Sequence, residues 1–321
     1  MRRRLKLIWR GIRRGWRRLG RALSRVGQKL WGPRLGSVDH HAPRELRVPK
    51  RYHRRPDLEQ PPLISIVTAS DAKGPVLDRT IRSVLDQDYE RLEYIVEDAA
   101  PTRQTAKVLH RYEGRLAHSQ RHPDSKPAVV LNLGFEHATG DVLSSVGSDA
   151  LLLPGTLPYV ARYFERHPEV DVVYGHRVLV DTTDNEIGRW VLPRHDDDVL
   201  PWAHYIPASS LFWRRRVWEA SGGEVDEDLH EAMDWELMLR FHEVGARMAR
   251  VPRFLGAVRV RDPERLAAHR AEMNGNDELR QLRARVHGRE VGEDEARKAV
   301  RGYMRRHVVL QKLYRMRMLR Y

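Results

Sequence analysis

One aspartate stands where a carboxylate can meet a ligand, and two others lie at the ends of neighbouring elements. Asp149 follows the apolar run 142–147 and Ser148, and it precedes Leu151, Leu152 and Leu153 and the Pro154-Gly155 pair, where a helix can begin. Open α/β sheets hold ligands at such strand ends. A metal-binding form of this loop would carry a second acid directly after the first; here that position is Ala150. Asp98 closes a second apolar run, 92–97, and is also suited to capping the following helix. Asp234 falls in the first turn of an amphipathic stretch, 231–244, where the helix dipole favours an acid in any case. Glu236, two residues on, points to a different side of that helix.

Other groupings carry less chemistry. The run His195-Asp-Asp-Asp198 has metal-ligand residue types, but acid runs in loops are usually solvated. His40-His41 lies in a stretch rich in His, Pro and Arg. Ser209-Ser210 precedes an apolar strand without a nucleophile-elbow pattern. Gly222-Gly223 reads as the turn after a helix containing Trp218. Cysteine is absent, which excludes disulfides, thiolate metal sites and a cysteine nucleophile.

The elements that must position the acids follow from hydrophobic periodicity. Residues 63–68 predict a buried strand and 75–88 a helix with Val76, Ile81, Val84 and Leu85 inward. A strand at 92–97, a helix at 102–112, a short strand at 116–119, a helix at 127–138 and a strand at 142–146 continue the alternation. Such alternation implies an α/β fold with a parallel sheet flanked by helices. Beyond Pro168 the pattern changes to a β-ribbon, 170–180 and 186–192, around Thr183, Asp184 and Asn185. A short strand at 209–213, the helix 231–244 and a charged helical region at 263–287 complete the reading. The expected organisation is a basic amphipathic helix over 1–36, a linker over 37–62, an α/β domain over 63–262 and a helical basic segment over 263–321.

The net charge of +14 belongs to the two ends of this 321-residue chain. Residues 1–36 hold thirteen Lys and Arg and no acid, and residues 296–321 hold nine and no acid. The stretch between them has 36 bases against all 44 acids, a net −8. In the first segment Leu5, Ile8, Ile12, Trp16, Leu19, Leu23, Val26 and Leu30 form one helical stripe, widened by Trp9 and Trp31 and faced by arginines. A basic amphipathic helix with tryptophans suits an anionic membrane surface. It would also suit docking on the acidic body of the same protein. No run of about 18 apolar residues is present, so no membrane-spanning helix is expected. Nucleic acid is not an expected partner, because the body lacks basic charge and a recognised nucleic-acid fold.

Six pieces in order resemble glycosyltransferase family 2, with the GT-A (Rossmann-like) fold. They are Ile64-Ser-Ile-Val-Thr68, Arg79-Thr-Ile-Arg-Ser-Val-Leu-Asp-Gln-Asp-Tyr89, Leu92-Glu-Tyr-Ile-Val-Glu-Asp98, Ser148-Asp149 with Leu152-Leu-Pro-Gly155, Phe212-Trp-Arg-Arg-Arg-Val-Trp218, and Met233-Asp-Trp-Glu-Leu237. The resemblance covers roughly residues 62–260 and implies inverting transfer of a sugar from a nucleotide-sugar to an acceptor hydroxyl. It makes Asp234 the catalytic base and Asp98 the nucleoside contact, and it places Asp149 near the ribose or the metal, usually Mg²⁺ or Mn²⁺. Thr68, Ser70, Arg103, Asn132 and Ser148 complete the donor-binding set it implies. The Gln-x-x-Arg-Trp signature of processive synthases is missing, which points to single-sugar transfer. The acceptor class is a glycan or a lipid-linked glycan, and the expected place is cytoplasmic, peripheral on the inner face of the plasma membrane.

The departures from that family concentrate at the donor. Asp71-Ala72 replaces the usual Tyr-Asn, Ala99-Ala-Pro-Thr-Arg103 replaces Gly-Gly-Ser-Thr-Asp, and Val129 replaces an Asp, as Ala150 does in the loop. Met233 replaces the Glu of the usual Glu-Asp pair. Three readings follow: metal-independent transfer with Arg103 or another cation neutralising phosphate, weak metal binding through Asp149 and the donor, or a non-catalytic glycosyltransferase-like binding or scaffold protein.

Overall fold

The computed structural model describes residues 39–71, 74–260 and 277–321. The expected amphipathic helix over 1–36, the departure at Ala72 and residues 263–276 of the charged region lie outside the described residues. Ten strands are described: β1 (Asp39–Arg44), β2 (Ile64–Ser70), β3 (Leu92–Asp98), β4 (His118–Arg121), β5 (Val142–Ser145), β6 (Ala150–Leu152), β7 (Val172–Val180), β8 (Glu186–Trp190), β9 (Leu211–Arg214) and β10 (Met248–Arg259). The α-helices are α1 (Gly74–Leu85), α2 (Arg103–Tyr112), α3 (Pro127–His137), α4 (Thr156–Arg166), α5 (Arg215–Ala220), α6 (Met233–Glu243), α7 (Asp277–His287), α8 (Glu293–Ala299) and α9 (Arg301–Arg315).

The continuous apolar runs of β2, β3 and β5 become parallel neighbours in the order β5-β2-β3-β4. Ile64, Ile66, Tyr94 and Val96 pack with Leu77, Ile81 and Val84 of α1 and Val108 and Leu109 of α2. Val67 and Ile95 face α3, whose Gly134 lies so close to Val67 that a Cβ there would collide. Burial on both faces is what selects runs over alternation in parallel strands. From β5 the sheet continues through antiparallel β9 and β7 to β8 and β1. The result is a mixed sheet with a parallel half, flanked by helices.

Two features differ from the sequence reading. The twelve-residue β10, parallel to β7 and antiparallel to β6, falls where no strand was expected. Pro252 and the arginines Arg250, Arg253 and Arg259 break its apolar pattern. Arg253 instead lies over the rings of Tyr52 (3.9 Å) and Tyr159 (4.6 Å). The stretch 37–62, expected as a linker, contains β1, which pairs with β8, and Tyr52, which is 1% exposed. The Tyr52 hydroxyl accepts the Phe254 N–H at 2.9 Å, so one aromatic anchor ties this stretch to β10.

The described part of the expected C-terminal segment is helical, and residues 38–321 form one unit rather than a domain with an appendage. Helix α9 buries Tyr303, Met304, His307 and Gln311. The Gln311 amide accepts the Val191 N–H at 3.1 Å and donates to the Arg189 carbonyl at 2.9 Å, supplying backbone-like partners at the end of β8. No helix among the described residues is long and apolar enough to cross a membrane.

Candidate active site

Parallel register brings the ends of β2 and β3 level, with Ser70 opposite Asp98. Asp98 is fully buried. Its Oδ1 accepts the Ala100 N–H at 3.2 Å, while its Oδ2 is buried with no hydrogen-bond partner among the described residues. Leaving a charged acceptor unmatched costs more than the ~1–3 kcal/mol of a neutral group, so such an oxygen calls for a donor from outside the fold.

The loop after β5 is fixed from below. The Thr80 hydroxyl of α1 bridges the Ser148 and Ala150 carbonyls, 2.8 Å from each. Arg259 of β10 donates Nη1 to that hydroxyl at 3.0 Å and its backbone N–H to the Asp149 carbonyl at 2.8 Å. Asp184 holds the Arg259 guanidinium through Nε at 2.5 Å. Ser148 donates its hydroxyl to Asp71, the residue after β2, at 2.7 Å. A continuous path of pairings therefore leads from Asp98 through Ser70, Asp71 and Ser148 to Asp149. Ala150 opens β6 opposite Val258 and is 1% exposed within the main core, so the loop presents a single acid, the half-buried Asp149.

Asp234 joins this edge from α6. Burial pushes its carboxyl up to about 6, the charge of Asp149 adds to the rise, Arg177 of β7 opposes it, and Glu231 raises it further. A like charge that raises the proton affinity of Asp234 must lie near it, so Asp149 and Asp234 share one site. Arg177 also helps burial push His204 down to about 4. The Arg177 guanidinium sits 4.7 Å from the centre of the Trp190 ring.

Two contacts set the start of α6. The buried Trp235 indole donates to the Leu200 carbonyl at 2.9 Å. Glu278 of α7 accepts the N–H groups of Glu231 (2.8 Å) and Ala232 (3.0 Å), doing the work of an N-cap from another helix. Glu236 is 4% exposed and paired with Arg240 at 2.9 Å and Arg285 at 3.0 Å, which commits it to the fold.

The remaining expected donor residues divide. Ser70 is buried at the strand end beside Asp98, and Arg103 is exposed in the first turn of α2. Thr68 is fully buried, and its hydroxyl donates to the Val146 carbonyl at 2.8 Å, tying β2 to the strand-end loop. Asn132 donates to the Val225 carbonyl and Glu227 and accepts the Val225 N–H at 2.8 Å, so both ends of its amide hold the turn after Gly223. Arg177 and Glu278 escaped the sequence reading, which had placed acceptor contacts near Trp202, His204 and Tyr205; a lone arginine inside the apolar run 172–180 was the one available signal.

His195 is a hydrogen-bond hub, with Tyr174 and Tyr205 at Nδ1 (3.1 and 3.0 Å) and Asp197 at Nε2 (3.0 Å). His41 pairs with Glu186 at 3.2 Å.

Residues 65–219 match the profile of glycosyl transferase family 2. An uncharacterised glycosyltransferase of Mycobacterium tuberculosis is 35% identical over 185 residues, covering 56% of this chain and 68% of that one. Against another curated relative the aligned part spans 42% of that protein's length. Among solved structures, S. aureus TarS 1-349 in complex with UDP-GlcNAc has a TM-score of 0.55 at 16% identity, over 77% of this chain and 72% of that one. Mannosyltransferase PcManGT from Pyrobaculum calidifontis, in complex with GDP-Man and Mn²⁺, has a TM-score of 0.54 at 19% identity, over 78% and 73%. At these identities the likeness is one of fold.

Proposed function

The chain belongs to glycosyl transferase family 2, and from that premise we propose that it transfers a single sugar, with inversion, from a nucleotide-sugar to a glycan or lipid-linked acceptor at an anionic membrane surface. The observation that carries the chemistry is the raised Asp234 carboxyl, coupled to Asp149 at the same sheet edge. At neutral pH a carboxylate of pKa about 6 is still mostly ionised and is a stronger base than an ordinary aspartate. Asp234 takes the proton of the acceptor hydroxyl as that oxygen attacks the anomeric carbon. The bond from that carbon to the diphosphate breaks, and the nucleoside diphosphate leaves with the electron pair.

The buried Asp98 Oδ2 is the group for the nucleoside, accepting an N–H or O–H that the fold does not provide. Ser70 and Ser148 flank it along the edge, whereas Thr68 and Asn132 shape the site from beneath. Arg177, facing the acids, and Arg103, exposed on α2, are the cations placed to offset charge on the leaving group.

A single loop carboxylate fits the habit of Mg²⁺ or Mn²⁺ of binding through one or two carboxylates and the phosphates of a substrate. Asp149 would hold such an ion together with the donor, and the ion would neutralise the departing diphosphate. The basic, tryptophan-bearing stripe of residues 1–36 supports peripheral attachment to the inner face of the plasma membrane.

Thermal-shift titration with UDP-, GDP- and dTDP-sugars, with and without Mn²⁺, tests the reading. One donor class is expected to raise the melting temperature, and Asp98→Asn to reduce that rise. Silence with every donor in both conditions would overturn the proposal and favour a glycan-binding or scaffold role.

A further inference from the structure

Away from the three acids, β3, β4 and α3 gather four ionisable side chains: Glu97, His118, His122 and His137. Glu97 precedes Asp98 on β3, so it points to the other face of the sheet, toward α3. A Cβ on Gly134 would stand 3.2 Å from the Glu97 Cγ, so the small residue makes the room for this side chain. The Glu97 side chain is 1% exposed. Its Oε2 lies 2.9 Å from the His122 Nε2. Its Oε1 faces the His118 Nε2 at 3.4 Å, yet both atoms are buried and neither makes a hydrogen bond. The His118 ring stacks on that of His137, with centroids 3.8 Å apart and planes 25° from parallel. One ligand atom each from Glu97, His118 and His137 lies within 4.8 Å of the other two, the one such group of three among the described residues.

A buried carboxylate oxygen and a buried imidazole nitrogen, close but unbonded, are poorly served as they stand. They are well placed as two corners of a coordination tetrahedron. Bonds of about 2.1 Å to Zn²⁺ put adjacent ligands about 3.4 Å apart, the separation found here. His122 then acts from outside the coordination sphere, fixing the second carboxylate oxygen. The exposed ring of His137 gives the ion a way in from solvent. Two imidazoles and one carboxylate favour a transition ion over Mg²⁺.

We infer that Glu97, His118 and His137 bind one Zn²⁺-class ion, at a site separate from Asp149. The ion clamps β4 and the end of α3 to β3, next to the residue that carries Asp98 to the sheet edge. The inference does not depend on sugar transfer.

The test uses the full chain without an affinity tag, stripped with chelator and titrated with Zn²⁺ alone at pH 7.5 by calorimetry and thermal shift. One equivalent is expected to bind saturably and raise the melting temperature. His118→Ala and His137→Ala are each expected to weaken binding at least tenfold. His122→Gln is expected to weaken it about tenfold, while Asp149→Asn leaves it unchanged. Co²⁺ in place of Zn²⁺ should give the visible absorption of a tetrahedral site. His137→Ala changes an exposed side chain, so it keeps the test valid if the other variants fold poorly. Absence of saturable binding, or binding that survives the His118→Ala/His137→Ala double substitution, overturns the inference; the second result would assign the ion to the chain's other histidines.

Discussion

The parallel edge and the antiparallel half of the sheet treat their buried acids in opposite ways. On the antiparallel side Glu186 is 1% exposed; burial pushes its carboxyl up, but Arg189 and Arg44 hold it below the usual range. Glu236 meets Arg240 and Arg285, and Asp184 meets Arg79 and Arg259. At the parallel edge Asp98 keeps an unmatched oxygen, and Asp234 is pushed up by burial and by Asp149. Acids matched by arginine hold the fold together. Acids that the fold leaves without an arginine partner are the ones the proposed sugar transfer uses.

Four measurements would break or sharpen that contrast. The largest effect is expected from Asp234→Asn, a fall in kcat of about 10²–10⁴-fold with the donor-induced thermal shift retained. Its counterpart on the same helix, Glu236→Gln, leaves Arg240 and Arg285 facing a neutral group and should lower stability by about 3 kcal/mol while transfer per folded molecule persists. Equal loss of transfer in both variants at full folding would erase the distinction.

Next in size, Asp98→Asn is expected to weaken donor binding by about 10–100-fold, the worth of one charge-assisted hydrogen bond. Glu186→Gln should leave donor affinity alone and lower the melting temperature.

The third concerns pH. The folded carboxyl of Asp234 sits at about 6, above its ordinary value of 3.8, so its ionisation burdens the folded state as pH rises through that window. In the wild-type chain kcat/KM is expected to climb with pH through about 6. Asp234→Asn should be more stable than wild type at pH 8, by up to about 3 kcal/mol, with the difference shrinking to well under about 1 kcal/mol at pH 4. A variant less stable at pH 8 would show that the wild-type carboxylate is satisfied after all. The smallest effect is expected from Glu278→Ala, which removes the cap on α6: about 1 kcal/mol of stability and a several-fold drop in kcat, with KM for the donor unchanged.

How far the sequence could be read follows the same divide. The strands 64–70, 92–98 and 142–145 announce themselves because both faces are buried, and their neighbours in the sheet are also near in sequence. Asp149 was readable as a strand-end acid, whereas Asp98 and Asp234 were singled out by the family resemblance; Asp98 ends β3 beside Ser70, and the charge of Asp149 reaches Asp234. Strand β10 was not readable: its arginines pair with Tyr52 and Asp184, residues far away in the chain, so its pattern looks polar where the structure is buried. For the same reason the stretch around Tyr52 passed for a linker. Arg177 and Glu278 were invisible because their roles depend on which strand and helix lie opposite. The acidic run 195–198 looked like a solvated loop, yet His195 is held by two buried tyrosines.

The backbone N–H of Arg259 that steadies Asp149 belongs to the final strand of the sheet to leave the ribosome. Until that strand has been synthesised, the edge of β6 has no neighbour and the loop bearing Asp149 has no floor. Long-range pairing of this kind forms late and slowly. In a nascent chain the strands of the parallel half are therefore all available well before the loop bearing Asp149 gains the strand that supports it.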